Sequence, residues 1–186
     1  MAQRRALSAE EVEKQSQQIT ARLFADFFVD PTGLIVHTFL PIVRQNEVDT
    51  WPIIYRIWQN LPQIQVAVSV TDIATNRLAH YALTPETPLV ENRLGIAEPQ
   101  SKGCMAISSD QIDVVLVPLL AFDTRGHRVG YGKGYYDQFL SECRPDCLKI
   151  GLSLFEPILT ISDVEPTDIR LDAGVTPKRT HNFNRF

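Results

Sequence analysis

The feature of this sequence that most restricts its fold is an apolar run, IDVVLVPLLAF, at residues 112–122. The run contains four β-branched residues, and at this length it indicates a β-strand that is buried on both faces. Strands of this kind belong to parallel sheets that are covered by helices on both sides. We therefore expect the core of the chain to be a sheet of the α/β class.

Helical and strand patterns alternate along the chain, which favours the same class of fold. The capping box of Ser8 and Glu11 marks the start of the first helix. Helices are predicted at 7–28, 47–61 and 135–143, and strands at 33–40, 64–70, 78–83, 112–122 and 148–154, with a turn at 71–76, a loop at 84–103 and one short strand within 166–183. The pattern predicts a single three-layer α/β/α domain, residues 1–186, with a mainly parallel sheet.

Composition and charge exclude several classes of protein. The net charge is −4 and the basic residues do not cluster, so the chain lacks the electrostatic footprint of a nucleic-acid-binding protein. No apolar run approaches the roughly 20 residues of a membrane span, and the N-terminus has no apolar signal-peptide core. We expect a cytoplasmic monomer that acts on small molecules, with neither a nucleic-acid nor a membrane partner.

The cysteines are consistent with a reducing compartment. Cys104, Cys143 and Cys147 cannot all pair with one another, and their spacing matches no zinc pattern. The segment CRPDC, residues 143–147, remains an alternative as a metal site, although a zinc site takes four ligands. Free thiols in the cytosol are the prediction.

A second stretch, GHRVGYGKGYYD at residues 126–137, has glycine at three alternate positions, Gly130, Gly132 and Gly134. It lies between a predicted strand and a predicted helix, so its backbone N–H groups and the helix N-terminus favour an anion. Arg128 and Lys133 add positive charge, and these features together predict a site for a phosphorylated ligand. The stretch is not a Walker A loop, because its Gly-Lys pair is followed by glycine. A flexible loop that only makes tight turns remains the alternative.

Several carboxylates are candidates for binding Mg²⁺ or a ligand N–H group, and one of them, Glu47, is predicted on the same edge of the sheet as the glycine loop. Asp137 lies in the first turn of the helix after the glycine loop, and Mg²⁺ on bound phosphates typically takes one or two protein carboxylates. Asp168 and Asp172 lie beside a late strand, and Glu47 lies between a strand end and a helix start. The alternatives are helix-start acids for Asp137 and Glu47, and solvated loop acids for the other two.

The stretch DVVLVPLLAFDTRGHRVGYGKGYYDQFL, residues 113–140, resembles the signature of the 5-formyltetrahydrofolate cyclo-ligase family, also called methenyltetrahydrofolate synthetases. The residues that match it are Pro118, Phe122, Asp123, Gly126, Arg128, Gly130, Gly132, Gly134, Tyr135, Tyr136 and Asp137. Weaker matches follow in the right order around it: NEVDT at 46–50, NRLGIAEP at 92–99 and DIRLD at 168–172. The resemblance covers residues 4–180.

The resemblance implies an activity and two cofactors. ATP and Mg²⁺ would drive the conversion of 5-formyltetrahydrofolate to 5,10-methenyltetrahydrofolate, with release of ADP and phosphate. The γ-phosphoryl group would pass to the formyl oxygen, and N10 of the folate would then expel phosphate. Such chemistry suits a glycine loop with cations, because phosphoryl transfer depends mainly on positioning and charge neutralisation.

The resemblance also implies roles for individual residues. The catalytic residues would be Lys133 and Arg128. The nucleotide would be bound by Arg4, Arg5, Arg128, Gly130, Gly132, Lys133, Gly134 and Tyr136. The folate would contact Leu40, Glu47, Tyr131, Gly132, Lys133, Gly134 and Tyr135. Glu47 would accept hydrogen bonds from the pterin, and Mg²⁺ would be held by Asp137 and Asp172.

One departure from the family bears on activity. Members usually open with a short helix that carries Lys-x-x-x-Arg and helps to hold the nucleotide phosphates, whereas this chain has only Arg4 and Arg5 in that part. One alternative is therefore a folate- or nucleotide-binding protein with weak or no turnover. A second is a relative of the sugar-phosphate isomerases or CoA-transferases, whose phosphate loops need no ATP.

Overall fold

The computed structural model describes residues 2–29, 31–72, 74–75, 77–92 and 95–183. Residues 73 and 76 of the predicted turn at 71–76, and residues 93 and 94 of the family match at 92–99, lie outside the described residues. Within the described ranges, no helix is long and apolar enough to cross a membrane.

The described residues form twelve strands, eight of which build a central sheet. The strands are β1 (Ile35–His37), β2 (Gln65–Asp72), β3 (Arg77–Ala82), β4 (Leu89–Glu91), β5 (Ala97–Pro99), β6 (Ala106–Ile107), β7 (Val114–Pro118), β8 (Ala121–Phe122), β9 (Arg128–Val129), β10 (Leu148–Leu152), β11 (Ala173–Val175) and β12 (Thr180–Asn182). The order in the central sheet is β12-β11-β10-β7-β1-β2-β3-β6. The five strands from β11 to β2 are mutually parallel, and antiparallel pairs complete both edges. The predicted α/β fold with a mainly parallel sheet is confirmed.

The three predicted helices are present, although the second begins at residue 51 rather than 47, and a short helix that was not predicted precedes them. The helices are α1 (Ala2–Arg5), α2 (Ala9–Phe27), α3 (Trp51–Asn60) and α4 (Tyr135–Glu142), with 3₁₀ turns at Val43–Gln45 and Ser109–Gln111. The capping box at the start of α2 is formed, because Ser8 Oγ accepts from Glu11 N at 3.2 Å and Glu11 Oε2 accepts from Ser8 N at 2.7 Å. α3 has Pro52 in its first turn, where the missing N–H group has no intrahelical partner to lose.

The helices cover both faces of the sheet. α2 and α3 pack on one face, and α4 packs on the other. Strand β7 contributes to both cores, since Val114 and Leu116 face the α2–α3 side while Val115 and Val117 face the α4 side. The prediction that this apolar run is buried on both faces is therefore confirmed.

The same apolar run is not one strand, as the sequence predicted. β7 ends at Pro118, which has no N–H group to continue the ladder. The chain then turns away, and Leu120 N donates to Val129 O at 2.8 Å at the base of a separate hairpin formed by β8 and β9. The end of the central strand therefore lies four residues earlier than predicted.

Two further predictions about irregular segments are corrected. The predicted loop at 84–103 contains the hairpin of β4 and β5, in which Asn92 N donates to Ile96 O at 2.8 Å. The tail at 166–183 contains two strands rather than one. Its turn is closed by the Thr176 hydroxyl, which accepts from Lys178 N and Arg179 N at 3.3 and 3.2 Å, so no glycine signal marks the hairpin in the sequence.

Gly174 in β11 provides a test of this packing. A Cβ atom at this position would lie 2.7 Å from Cε2 of Phe122, whose side chain is fully enclosed. We expect Gly174→Ala to lower the free energy of unfolding by about 1–3 kcal/mol through overpacking. The matched control is Gly130→Ala, since a Cβ at Gly130 has no atom within 4 Å. Urea unfolding of both variants measures the difference, and equal stabilities would contradict this description of the core.

Candidate active site

The glycine loop lies at the carboxyl edge of the parallel strands, where open α/β sheets bind ligands. Strand β7 reaches this edge at Pro118 and leads into the β8–β9 hairpin, after which residues 130–134 run exposed to the start of α4. A small cleft of about 10 Å³ lies beside the loop, between the carboxyl ends of β1, β7 and β10. Arg4 and Glu47 line this cleft.

The carboxylate of Asp123 organises the hairpin that carries the loop. Its side chain is completely buried, and it accepts hydrogen bonds from Arg125 N at 2.8 Å, His127 N at 3.0 Å and Ile161 N at 3.1 Å. Burial alone would raise the pKa of this carboxyl, but these bonds, together with one from the His127 ring at 3.2 Å, lower it well below the ordinary value of 3.8. Asp123 thus joins the turn of the hairpin to the segment around Ile161.

In the sequence, Asp123 is distinguished only by its place in the family signature. The signal that could have identified it is its position in a turn before Gly126, where an aspartate commonly accepts from nearby backbone N–H groups. Its long-range bond to Ile161 N crosses 38 residues of sequence and could not have been found from local spacing.

The glycines of this region have two different physical explanations. Gly126 has φ +87°, and a Cβ there would lie 2.8 Å from the Phe183 ring, so folding itself requires this glycine. Gly132 and Gly134 also have positive φ, +76° and +71°, but a Cβ at either would meet no atom within 4 Å. Gly130 has neither a left-handed φ nor a nearby atom, so the described fold sets no steric requirement for glycine at this position.

The structure joins Arg128 and Asp137, which the sequence analysis had assigned to nucleotide and metal. Arg128 Nη2 donates to Asp137 Oδ1 at 2.7 Å, and Nη1 donates to Ile169 O. Asp137 Oδ1 also accepts from Ile169 N at 3.0 Å. The Arg128 side chain is 5% exposed and that of Asp137 is 30% exposed. This pair ties β9 and the first turn of α4 to the segment before β11.

A second cluster joins Arg4, Glu47 and Tyr131. The Tyr131 hydroxyl donates to Glu47 Oε1 and accepts from Arg4 Nη2, while the Arg4 and Glu47 charges lie 3.9 Å apart. Glu47 Oε2 accepts from Ile42 N at 2.6 Å. Burial raises the pKa of the Glu47 carboxyl above its ordinary value, although these hydrogen bonds and the Arg4 charge oppose the shift. Burial and the Glu47 charge raise the pKa of Tyr131.

Arg4 reaches this cluster because short contacts hold α1 against the turn that precedes α3. Asn46 adopts the left-handed conformation, φ 50°, and its side-chain amide donates to the carbonyl oxygens of Arg4 and Leu7, both at 2.9 Å. Arg4 Nε donates to Gln45 O at 2.8 Å. Asn46 is a positioning residue that the sequence analysis missed, although it lies within the NEVDT match.

The remaining predicted ligand contacts fall into exposed and buried groups. Lys133 and Arg5 are exposed and make no hydrogen bond or ion pair with the described residues. Tyr135 is half-buried at the start of α4. Leu40 is 5% exposed and belongs to the α2–α3 core. Tyr136 packs its ring 6.0 Å from that of Phe139. Burial raises the pKa of the Tyr136 hydroxyl.

The two predicted magnesium ligands lie on different elements, and each contacts a cation. Asp137 pairs with Arg128, whereas Asp172 Oδ2 accepts from Lys149 N at 2.8 Å and lies 3.5 Å from Lys149 Nζ. No group of three His, Cys, Asp or Glu residues that could hold a metal ion occurs among the residues described. Asp168 Oδ2 accepts from Glu165 N at 2.9 Å, which makes it a turn residue.

Comparison with known proteins identifies the class to which this fold and site belong. A family model described as the 5-formyltetrahydrofolate cyclo-ligase family matches residues 1–177. The Escherichia coli (strain K12) 5-formyltetrahydrofolate cyclo-ligase is 30% identical over 178 residues, which cover 95% of each chain. The Mus musculus 5-formyltetrahydrofolate cyclo-ligase is 32% identical over 145 residues, which cover 75% of this chain and 68% of the mouse protein.

Solved structures agree with the sequence relatives. The Aquifex aeolicus 5,10-methenyltetrahydrofolate synthetase superimposes with a TM-score of 0.80 at 25% identity, and covers 100% of this chain and 89% of that chain. The fold is therefore that of a mixed α/β synthetase with a large, mostly parallel central sheet. The chain belongs to the 5-formyltetrahydrofolate cyclo-ligase family. The family and the enzyme class predicted from the glycine–tyrosine block are confirmed.

Substitution of Asp123 tests how the hairpin is held. We expect Asp123→Asn to lower the free energy of unfolding by at least about 1–3 kcal/mol, since an amide cannot satisfy all the buried N–H groups that this carboxylate accepts. The exposed Asp163→Asn is the control, for which we expect a change within about 0.5 kcal/mol.

The same pair of variants carries a pH test. Because the pKa of folded Asp123 lies below its ordinary value, its contribution is complete above about pH 5 and is lost as the pH falls through the folded pKa. The stability difference between wild type and Asp123→Asn should therefore shrink below pH 3.8. A difference that is constant down to pH 2 or that grows there would contradict the assignment.

Proposed function

We propose that this protein converts 5-formyltetrahydrofolate to 5,10-methenyltetrahydrofolate with consumption of ATP in the presence of Mg²⁺. The observation that carries the proposal is the glycine loop, whose three alternate glycines present open space where side chains would otherwise project. Family membership supplies the reaction class, and the loop supplies a surface on which phosphates can approach the backbone.

Gly130 is the strongest single support for a ligand at the loop. A glycine that folding does not require is expected where a ligand comes close to the backbone, because a Cβ would occupy the ligand's place. Gly134 is the N-cap of α4, whose first N–H groups are directed toward the same region. Lys133 is exposed within the loop, so its ammonium can reach the γ-phosphate.

Arg128 has N–H groups left for phosphates, but its side chain is only 5% exposed, so the exposed loop beside it must open before a phosphate can reach it. A guanidinium has five N–H groups, and the contacts with Asp137 and Ile169 O use two of them. We therefore propose that Arg128 fixes the loop through its Asp137 pair and also binds the nucleotide. Arg4 and Arg5 remain proposed nucleotide contacts, with Arg4 placed beside Tyr131 and Arg5 exposed on α1.

The residues present are compatible with Mg²⁺ on the bound nucleotide. Both described hydrogen bonds to Asp137 use Oδ1, and the carboxylate is partly exposed, so Oδ2 is suited to an ion that is otherwise held by phosphates and water. Asp172, the second ligand that family resemblance implies, precedes β11 and pairs with Lys149 at the amino ends of β10 and β11, rather than with the Arg128–Asp137 pair. Mg²⁺ would neutralise the charge on the phosphate oxygens during transfer.

Glu47 is the proposed pterin contact. A buried carboxylate can accept two hydrogen bonds from a ring N–H and an exocyclic amine, and its Oε1 now accepts from Tyr131. The cleft beside it is about 10 Å³, roughly the size of a single water site, so a pterin ring requires that Tyr131 move away. Because Tyr131 lies within the glycine loop, folate entry and loop rearrangement are coupled in this proposal.

The chemistry follows from this arrangement. The γ-phosphoryl group passes to the formyl oxygen while backbone N–H groups, Lys133 and Arg128 stabilise the charge that develops on its oxygens. The phosphorylated formyl group is then attacked by N10 of the same folate, and phosphate leaves as the ring closes. We also propose that the protein is a monomer in the cytosol. Its three cysteines are free thiols, as expected in a reducing compartment.

Turnover tests the function directly. We expect the absorption band of methenyltetrahydrofolate to grow when the protein is mixed with 5-formyltetrahydrofolate, ATP and Mg²⁺, and to stay absent without ATP. A band that grows equally without ATP would contradict the proposal. Tight folate binding with no band under any condition would favour a binding protein without turnover.

Gly130→Ala tests the loop itself. Because a Cβ at Gly130 neither strains the backbone nor meets an atom, this variant should keep the stability of the wild type. If phosphates approach Gly130, the added methyl group should weaken ATP binding by about tenfold or more, through at least one lost charge-assisted hydrogen bond. Calorimetric titration with ATP measures the effect. The exposed Ser162→Ala is the control outside the loop, because Gly103 has φ +90° and alanine there would strain the backbone.

A further inference from the structure

The CRPDC segment, which the proposed function leaves unused, carries two cysteines that a single tight turn joins. Cys143 ends α4 and is half-buried, and Cys147 begins the approach to β10 and is 1% exposed. A tight turn joins them, in which Cys147 N donates to Arg144 O at 3.1 Å. Cys143 Sγ donates to Phe139 O at 3.5 Å, one turn back along α4. Cys104 lies elsewhere and donates to Gln100 O at 3.1 Å.

We propose that Cys143 and Cys147 form a redox-active pair that closes to an intramolecular disulfide when a peroxide oxidises Cys143. The pair is a modification site separate from the glycine loop, because it lies at the opposite end of α4 from Gly134.

The surroundings make Cys143 the attacking residue. The hydrogen bond from Cys147 lowers the pKa of the Cys143 thiol, and the nearby charges of Lys149 and Arg144 lower it further against the opposing effects of burial and Glu142. The hydrogen bond from Cys143 and burial raise the pKa of Cys147. Lys149 is fixed at this place, since its Nζ donates to Cys147 O at 2.7 Å. A partly exposed thiolate with cations beside it is the form that reacts with peroxides.

The reaction balances with one peroxide. The Cys143 thiolate attacks one peroxide oxygen, the O–O bond breaks, and the leaving hydroxide or alkoxide takes a proton, which leaves Cys143 as a sulfenic acid. The sulfur of Cys147 then attacks the sulfenyl sulfur. Its proton goes to the departing hydroxide, so water leaves and the disulfide forms. Two thiols are oxidised and one peroxide is reduced.

Peptide mapping of the whole native protein after mild hydrogen peroxide treatment tests the proposal. Pro145 follows Arg144, so trypsin leaves both cysteines on one peptide, and the disulfide appears as the loss of two hydrogen atoms and of both alkylation sites. We expect this product to form at least about tenfold faster than oxidation of Cys104, and to be reversed by dithiothreitol. In urea, where the contacts of the turn are lost, the CRPDC cysteines should be oxidised no faster than Cys104.

Variants separate the two roles. In Cys147→Ser, oxidation should stop at a sulfenic acid on Cys143, which dimedone traps. In Cys143→Ser, Cys147 should stay reduced. Cys104→Ser should behave as the wild type. The proposal is overturned if Cys143 and Cys147 of the wild type stay alkylatable, if Cys104 reacts as fast, or if the preference persists in urea. These readouts do not use enzymatic activity, so their failure and that of the proposed function are distinguishable.

Discussion

The buried carboxylate of Asp123 is the interaction on which the geometry of the site depends. A buried charge is tolerated only when it is fully hydrogen-bonded, and three backbone N–H groups from two separate segments supply those bonds. They hold the β8–β9 hairpin in a single orientation above the end of β7. Strand β9 then delivers Arg128 and the glycine loop to the carboxyl edge of the sheet.

Two charged clusters fix the two ends of the loop. Arg128 and Asp137 tie its flanks to Ile169, and Arg4 and Glu47 hold Tyr131 in its middle. Buried ion pairs add little net stability, because desolvation offsets much of the Coulomb attraction. We infer that their main effect is positional. The loop between them is left exposed and free of side chains at its glycines, which is consistent with the proposed contact between phosphates and its backbone.

Much of the fold could be predicted from local patterns. The helix at Ala9–Phe27 has both periodicity and a capping box, and β7 has an apolar run that two cores share. The errors arose where the signal was not local. Pro118 ended β7 inside the apolar run, because the hairpin that follows offers Leu120 N a partner that the central sheet does not. The hairpin within 84–103 has strands of three residues, too short for alternation to show.

The candidate site likewise has one part that local sequence patterns predict and one part that they do not. The glycine loop and its cations could be found from spacing, because alternate glycines and their flanking cations are local features of the sequence. The residues that pair with those cations could not be found from spacing. The Arg128–Asp137 pair needs the turn into α4, and the Arg4–Tyr131 contact crosses 127 residues of sequence. Family resemblance identified Glu47 and Asp172 as candidates. It did not identify the neighbouring residues with which these two carboxylates pair.

The most direct measurement is the fate of the formyl oxygen. If the γ-phosphoryl group passes to that oxygen, 5-formyltetrahydrofolate labelled with ¹⁸O in its formyl group should yield ¹⁸O-labelled inorganic phosphate in a one-to-one ratio with methenyltetrahydrofolate. Mass spectrometry of the released phosphate gives the answer in a single turnover. Unlabelled phosphate, with the ¹⁸O recovered in water, would contradict phosphorylation of the formyl oxygen and with it the role assigned to the glycine loop.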